Sequence, residues 1–573
     1  TDITDNFEGE YDVFEGLKVR ARIGFTRKFT RADHFYPANH LKFNTVQELR
    51  KRGSYQINTG EGQTMDYDFS LNYSRQLGDK HYVFGFLSYS LSENTFEEDI
   101  FKAEGFPSDK MNSIFFARQY TENSKPTGSE STSRSVGVNA VFNYSFDDRL
   151  LMDVTYRTNA SSQFGANQRW GNFWSFGGGW NIHNEKWMRE LGWFSRLKLR
   201  ASLGSTGSQG SNAYQSLATY NYSDKYYEDA LGAYLLGMKN DDLKWQKKMD
   251  YNLGVDMTVK NCFNLVFDYY QSITENLLVA LTLPPSSGFT TVQENIGKVK
   301  NAGVEVNMSY TVFSHAKDRS YLTLALRGAH NKNKVLKISD SMKAYNERMD
   351  KEMLEGGKPV IKYYDGVSMN AIWAVPSLGI DPATGREIYR KKDGRSTFTY
   401  DVNDMVICGD NLPKLNGSFS INLGYKGLGF NMTCIYELGA KMFNQTLIDR
   451  VENVDMHYNV DRRVLEGRWQ NPGDGVRFRS LKSYWDPETQ TYPRDVQTKA
   501  TSRFVQKKNE LNISSINISY DFYRYAFVKQ IGLERLSLAF YMNDVAKLST
   551  IKTERGLAYP FARNYNFSLQ MTF

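Results

Sequence analysis

Between Gly303 and Val312 the chain keeps strict time: Val304, Val306, Met308, Tyr310 and Val312 are apolar, while Glu305, Asn307, Ser309 and Thr311 are polar. A period of two belongs to a β-strand whose faces meet different surroundings. The same alternation marks residues 17–25, 65–73, 136–146, 150–156, 197–203, 253–259, 263–269, 419–425 and 428–436. Weaker examples lie at 7–13, 82–91, 173–182, 322–329, 516–522 and 536–542. The pattern predicts about seventeen strands, most near the length that crosses a bilayer when tilted, about 9–11 residues. That is too many for a sandwich.

The links between these strands alternate as well. Short links occur at Glu15-Gly16, Gly78-Asp79, Asp147-Asp148-Arg149, Lys260-Asn261 and Lys426-Gly427, all built from turn-forming residues. Between them fall long links at about 27–64, 92–135, 205–250, 271–302, 330–416 and 437–511. Sorting loop length by parity is what outer-membrane barrels do, with short turns on one side and long loops on the other. The fold expected is therefore all-β, a transmembrane antiparallel β-barrel, with residues 1–573 forming the barrel wall and its extracellular loops. The Val304 face should meet lipid and the Glu305 face the lumen.

Composition sharpens this picture. Aromatic residues make up 14% of the 573 residues, with 37 Tyr and 36 Phe, yet mean hydropathy is −0.56. Aromatic girdles over a polar lumen and polar loops account for both values. No run approaches the ~18 apolar residues of a membrane helix. Cys262, Cys408 and Cys434 are far apart, with no CxxC spacing, so they form neither a zinc site nor a disulfide framework. A net charge of +7 without a concentrated basic stripe argues against nucleic acid. The chain begins at Thr1 without a secretory signal and reads as a mature or partial chain. Its last segment, RNYNFSLQMTF, alternates and stops on Phe573, and resembles the signal read by the bacterial barrel-insertion machinery.

Six blocks then carry a resemblance. TNASSQFGANQRWGNFWSFGGGWNI (158–182) is similar to a block of the SusC/RagA family of TonB-dependent transporters, written RxDGSSRFGxNxRWGxFPSxSxGWxI. LKLRASLGSTGSQG (197–210), NIGKVKNAGVEVNMSY (295–310), LGIDPATGREIYRKKDG (378–394), WQNPGD (469–474) and TSRFVQKKNELNISSINISYDF (501–522) follow in the family's order. Asn159-Ala160 replaces the DG before SSRFG, and residues 510–517 depart from SYLRLKN. The resemblance implies a barrel of about 22 strands with a plugged lumen, so this chain would be its C-terminal portion, with Thr1 just before about the sixth strand and the plug outside the sequence. It implies energised import of oligomeric nutrients across the outer membrane, a SusD-like surface lipoprotein as lid, and TonB acting through an N-terminal segment not in this chain. It also admits a dimer of transporter–lid pairs. Oligosaccharide is the favoured cargo. An oligopeptide importer of the RagA type and a passive outer-membrane channel remain open, as does a soluble β-rich enzyme, which loop parity disfavours.

Sugar rings and peptides both stack on aromatic faces. The candidate substrate residues are therefore the loop aromatics Tyr363, Tyr364, Trp373, Trp469, Tyr484 and Trp485. The aromatics of the 158–182 block read as interface residues. Asp381, Asp393 and Asp474 sit in glycine-rich turns but lack calcium-loop spacing, and are expected to stabilise those turns. There is no HExxH pair and no Ser, His and Asp constellation. The expectation is a transporter without cofactor or metal, not an enzyme.

Overall fold

The computed structural model describes the chain except for residues 122–123, 209–212, 228–229, 283–290, 339–341, 348, 350–360, 455–459, 482–497 and 553–560. Among the described residues eighteen strands join the main sheet, and every one but the two-residue Gln119–Tyr120 runs for eight residues or more. The fold is the expected all-β class. Neighbouring strands pair antiparallel, as in Asp2–Phe14 with Leu17–Tyr36 and Leu415–Tyr425 with Leu428–Phe443.

The turns on one side are tight because their residues accept left-handed backbone. Asp147 and Asp148 have φ of 53° and 50°, Lys260 and Asn261 46° and 54°, and Lys426 and Gly427 48° and 102°. Positive φ at successive residues gives a connection whose twist matches that of the strands it joins. Two other links on this side carry short helices, Lys186–Leu191 and Ala526–Gln530.

The strands run further than their alternating segments suggested. Leu17–Tyr36 has 20 residues, Ser54–Leu77 and His81–Glu104 24 each, and Thr291–His315 25. The links at 27–64 and 92–135 accordingly narrow to 37–53 and 105–126, the latter holding the short turn Ile114–Phe116 and the two-residue strand Gln119–Tyr120. Similarly, 330–416 narrows to 338–414 and 437–511 to 444–504. Past the hydrocarbon both faces of a strand meet water, so segments such as TRKFTRADHFY and TFEEDIFKAE have no reason to alternate.

The chain divides into two compact units, one of residues 1–178, 203–248 and 278–295, the other of 179–202, 249–277 and 296–573. In the first, paired residues form a row of Phe7, Ile23, Tyr67, Leu91, Val136 and Ala160, all apolar. One step along each strand the row reads Glu8, Arg22, Asp68, Ser90, Gly137 and Asn159. Directly paired residues share a face, so six strands sort their side chains together. Phe7 is 72% exposed.

The second unit repeats the arrangement over seven strands. Tyr310, Leu324, Ile421, Met432, Ile516, Met542 and Tyr565 make one row, and Thr311, Thr323, Asn422, Asn431, Asn517, Tyr541 and Asn566 the next. The polar row is knitted by a hydrogen bond between Thr311 Oγ1 and Thr323 Oγ1 (3.3 Å) and one from Asn431 Nδ2 to Asn422 Oδ1. Arg200, elsewhere in this unit, bonds Asp256 at 2.9 Å and Asp268 at 2.8 Å. Val312 breaks the pattern: the register shifts between Thr311 and Phe313, and Phe313, opposite Leu322, continues the apolar side.

Replacing Met308 by Arg is expected to destabilise the folded barrel by about 2–4 kcal/mol, and replacing Asn307 by Arg far less. Urea titration of heat-modifiable migration measures both, and equal losses would refute the assignment of faces.

Candidate functional site

In the second unit the two longest links fold on each other. From 338–414 come the short pair Ala371–Ala374 and Val406–Asp410, and the three-stranded set Ser377–Ile380, Glu387–Arg390 and Ser396–Thr397. Val375 bridges Thr501 of the other link, and its carbonyl accepts from Ser502 N at 2.9 Å. Val375, Val402, Met405 and Ala500 form a small core against which Trp373, Tyr389, Tyr400 and Phe443 pack. A second core of Leu447, Ile448, Val451 and Phe504 also touches Phe443.

Charged side chains hold these cores together. Glu452, 1% exposed, accepts from Arg503 Nη1 at 2.5 Å and Thr498 Oγ1 at 3.1 Å, with Arg479 Nε at 3.3 Å. Arg503 also grips Glu387, its Nη2 at 2.9 Å and Nε at 3.2 Å, while Thr501 Oγ1 donates to the same carboxylate at 2.7 Å. Burial opposes the Arg503 charge, yet Glu387 and Glu452 more than offset it and hold its pKa above the ordinary value. Arg468, 6% exposed, donates to the carbonyls of Val464, Arg479 and Val451. Burial lowers its pKa. A buried guanidinium needs this many partners because desolvation costs several kcal/mol.

Two of the sequence blocks meet here. Gly385, at φ +71°, leaves room for the Trp469 ring, which a Cβ would approach to 2.6 Å. Trp469 Nε1 donates to Pro382 O at 2.8 Å, and Gly473 N reaches the same oxygen at 2.8 Å. Asp381 accepts from Thr384 Oγ1 at 2.5 Å, Asp393 from Arg395 Nε at 2.7 Å, and Asp474 from Asn471 N at 2.8 Å. All three carboxylates thus stabilise turns.

The six candidate aromatics separate accordingly. Tyr364, 38% exposed, lies 5.0 Å centroid to centroid from Trp373, and Lys362 Nζ stands 6.0 Å over the same indole. Trp373 Nε1 is buried without a hydrogen-bond partner. Tyr363 faces Tyr345 at 6.1 Å, and its backbone is clamped by Asn346. Trp469 belongs to the junction with Gly385. Tyr484 and Trp485 lie outside the described residues. Sequence reasoning missed Arg503, Glu387, Glu452, Arg479 and Arg468. The one signal was Arg503 within the TSRFV block, since nothing in periodicity marks a buried carboxylate.

Residues 1–351 match the family model described as TonB dependent receptor-like, beta-barrel. The chain belongs to this family. It is an outer-membrane protein. A TonB-dependent receptor of Formosa agariphila is 26% identical over 598 residues, covering 95% of this chain and 55% of that protein. SusC of Bacteroides thetaiotaomicron is 26% identical over 449 residues, covering 72% and 43%. Among solved structures, the RagAB peptide transporter superposes with a TM-score of 0.80 at 20% identity, over 96% of this chain and 58% of its own. The RagAB peptide importer in its closed-closed state gives 0.82 at 20% identity, over 100% and 62%. These structures establish the fold. The chain spans about half the length of the named relatives it matches.

Arg503→Met should cost the loop assembly about 3–5 kcal/mol, toward the lower end because Arg479 still reaches Glu452. Limited proteolysis should cut 444–504 and 371–410 faster while strand fragments stay protected; unchanged cutting would refute the clamp.

Burial, with Lys392 nearby, pulls the Lys362 ammonium down to about 8 from 10.5. Between those values the unfolded chain binds the proton and the folded loop does not, so loop stability rises with pH across that window, by up to about 1.4 kcal/mol per pH unit. Protease resistance of the loops measured from pH 7.5 to 10 should show this rise, and Lys362→Met should flatten it.

Proposed function

We propose that this chain supplies the greater part of the barrel wall and the extracellular loop body of an energised outer-membrane importer of oligomeric nutrients, with oligosaccharides as cargo. The observation that carries the reading is the loop body itself, in a chain of the TonB-dependent receptor-like family. A passive pore has no use for two long links locked by buried ion pairs, whereas an importer needs an ordered surface on which a lid can seat. In this reading a SusD-like lipoprotein is the lid, TonB acts through a plug and N-terminal segment outside this sequence, and two transporter–lid pairs can assemble as a dimer. The reaction is translocation, with no enzymatic step.

Tyr364 is the aromatic we propose to meet substrate, because its ring is 38% exposed and packs against Trp373. Tyr363 and Trp373 shape that platform, and Trp469 holds the two links in register. The oligopeptide reading stands second, favoured by the likeness to RagAB, a peptide transporter.

Exposed tips at 391–399 and 465–466 offer the test, since Leu465 is 69% exposed and the Glu466 carboxylate lies on the surface. In the full-length transporter, removing both should cut lipoprotein recovery in pull-downs at least fivefold and lower uptake, with heat-modifiable folding intact. Undiminished recovery would place the docking surface elsewhere. Calorimetry with oligosaccharide and oligopeptide panels then separates the two cargo readings.

A further inference from the structure

The polar face of the first unit contains a hollow of about 240 Å³. Its walls include Ser90, Ser135, Gly137, Arg157, Asn159 and Trp245. The register explains why it exists. Ser90, Gly137 and Asn159 are successive members of one polar row, and the middle one has no side chain. A Cβ on Gly137 would stand 2.8 Å from Asn159 Oδ1 and 3.0 Å from Ser90 Oγ. The glycine therefore opens a notch into which an amide and a hydroxyl converge.

The remaining walls are fixed in place. Trp245, 8% exposed, lies tilted against Phe164 at 4.5 Å and meets Phe173 edge-on at 5.5 Å, and its Nε1 donates to Arg169 O at 2.9 Å. Arg157 Nε donates to Asn159 Oδ1 at 3.0 Å, which holds the guanidinium at the rim. Among the described residues no carboxylate forms an ion pair with Arg157. Neighbouring acids do not neutralise it. Glu93 is engaged by Arg134 at 2.8 Å, and Asp68 lies three strand spacings from Asn159, about 14 Å, beyond a Debye length of about 8 Å.

We propose that this hollow is a subsite for a single acidic sugar unit, a uronate. The proposal rests on the import reading above and narrows its cargo to carboxylated glycans. A guanidinium with free N–H groups takes a carboxylate in two parallel bonds. Ser90, Ser135 and Asn159 match ring hydroxyls, and the fixed Trp245 ring offers an apolar wall to ring C–H groups. A hollow of about 240 Å³ has room for one six-membered ring with its substituents. An extended peptide would bind along an open strand edge, but the strands carrying Ser90 and Gly137 are hydrogen-bonded on both edges.

The full-length transporter in detergent would be titrated calorimetrically with D-glucuronate, D-glucose and an acetylated dipeptide bearing a free carboxylate, all at one ionic strength. Glucuronate should bind at least tenfold more tightly than glucose, and the dipeptide no more tightly than glucose. Arg157→Gln should bring glucuronate within twofold of glucose, and Gly137→Ala should weaken it at least tenfold, with Ser90→Ala as the milder second variant if the added methyl prevents folding. Equal binding of glucuronate and glucose, or a preference untouched in Arg157→Gln, overturns the proposal. Dipeptide binding above that of glucuronate overturns the saccharide assignment. Lipoprotein pull-down, run in parallel, reads the import assembly separately: if it persists while glucuronate fails, the subsite alone falls.

Discussion

The structure depends on one constraint, that a backbone in hydrocarbon must satisfy every N–H and C=O internally, at several kcal/mol for each group left unpaired. Sequential antiparallel pairing meets it along each ladder, and the side chains then have only two places to go. A slip of one residue at any pair would exchange the row of Tyr310, Leu324, Ile421 and Met432 with that of Thr311, Thr323, Asn422 and Asn431. That would put asparagine into lipid along a whole strand. Register is therefore held twice, by the penalty on the faces and by tight turns such as Asp147-Asp148 and Lys426-Gly427, whose backbone suits a hairpin of one length.

Outside the bilayer the constraint reverses, and water must be excluded by packing alone. The two longest links do this with small hydrophobic cores and a set of arginines and carboxylates. Burying Glu452 and Glu387 gains little stability over an apolar filling of equal volume. What it gains is a single arrangement, because Arg503 satisfies both carboxylates only when 371–410 and 444–504 lie in one register. The Trp469 junction adds a steric condition: only a glycine at 385 lets the indole approach.

The all-β class, the strand count and the parity of the links were legible because the membrane forces a period of two and forces the turns to one side. Strand ends were not legible: where Thr26–Tyr36 leaves the hydrocarbon, neither face is required to be apolar, and the pattern fades while the ladder continues to Tyr36. The bulge at Val312 was hidden for a related reason, since Val312 and Phe313 are both apolar and either could extend the stripe. In the loops, aromatic content pointed to the right segments but not to the division of labour. Tyr364 and Trp469 look alike in sequence, yet one ring is open and the other is sealed against Gly385. That difference comes from a contact between residues more than eighty positions apart, which no local pattern encodes.

The two faces of such a wall also differ in how freely they can change. The lipid side must remain apolar along each row, so a side chain lost there exposes backbone to hydrocarbon. The polar side carries no such demand, and the ladder hydrogen bonds through Gly137 to Ser90 and Asn159 persist without its side chain. A glycine on that face therefore creates a recess at little cost beyond its own backbone entropy, about 0.5–1 kcal/mol, and the neighbours across the ladder become its walls automatically. Recognition chemistry in a barrel of this kind can be rewritten one polar-row position at a time, with register and membrane fit left as they are.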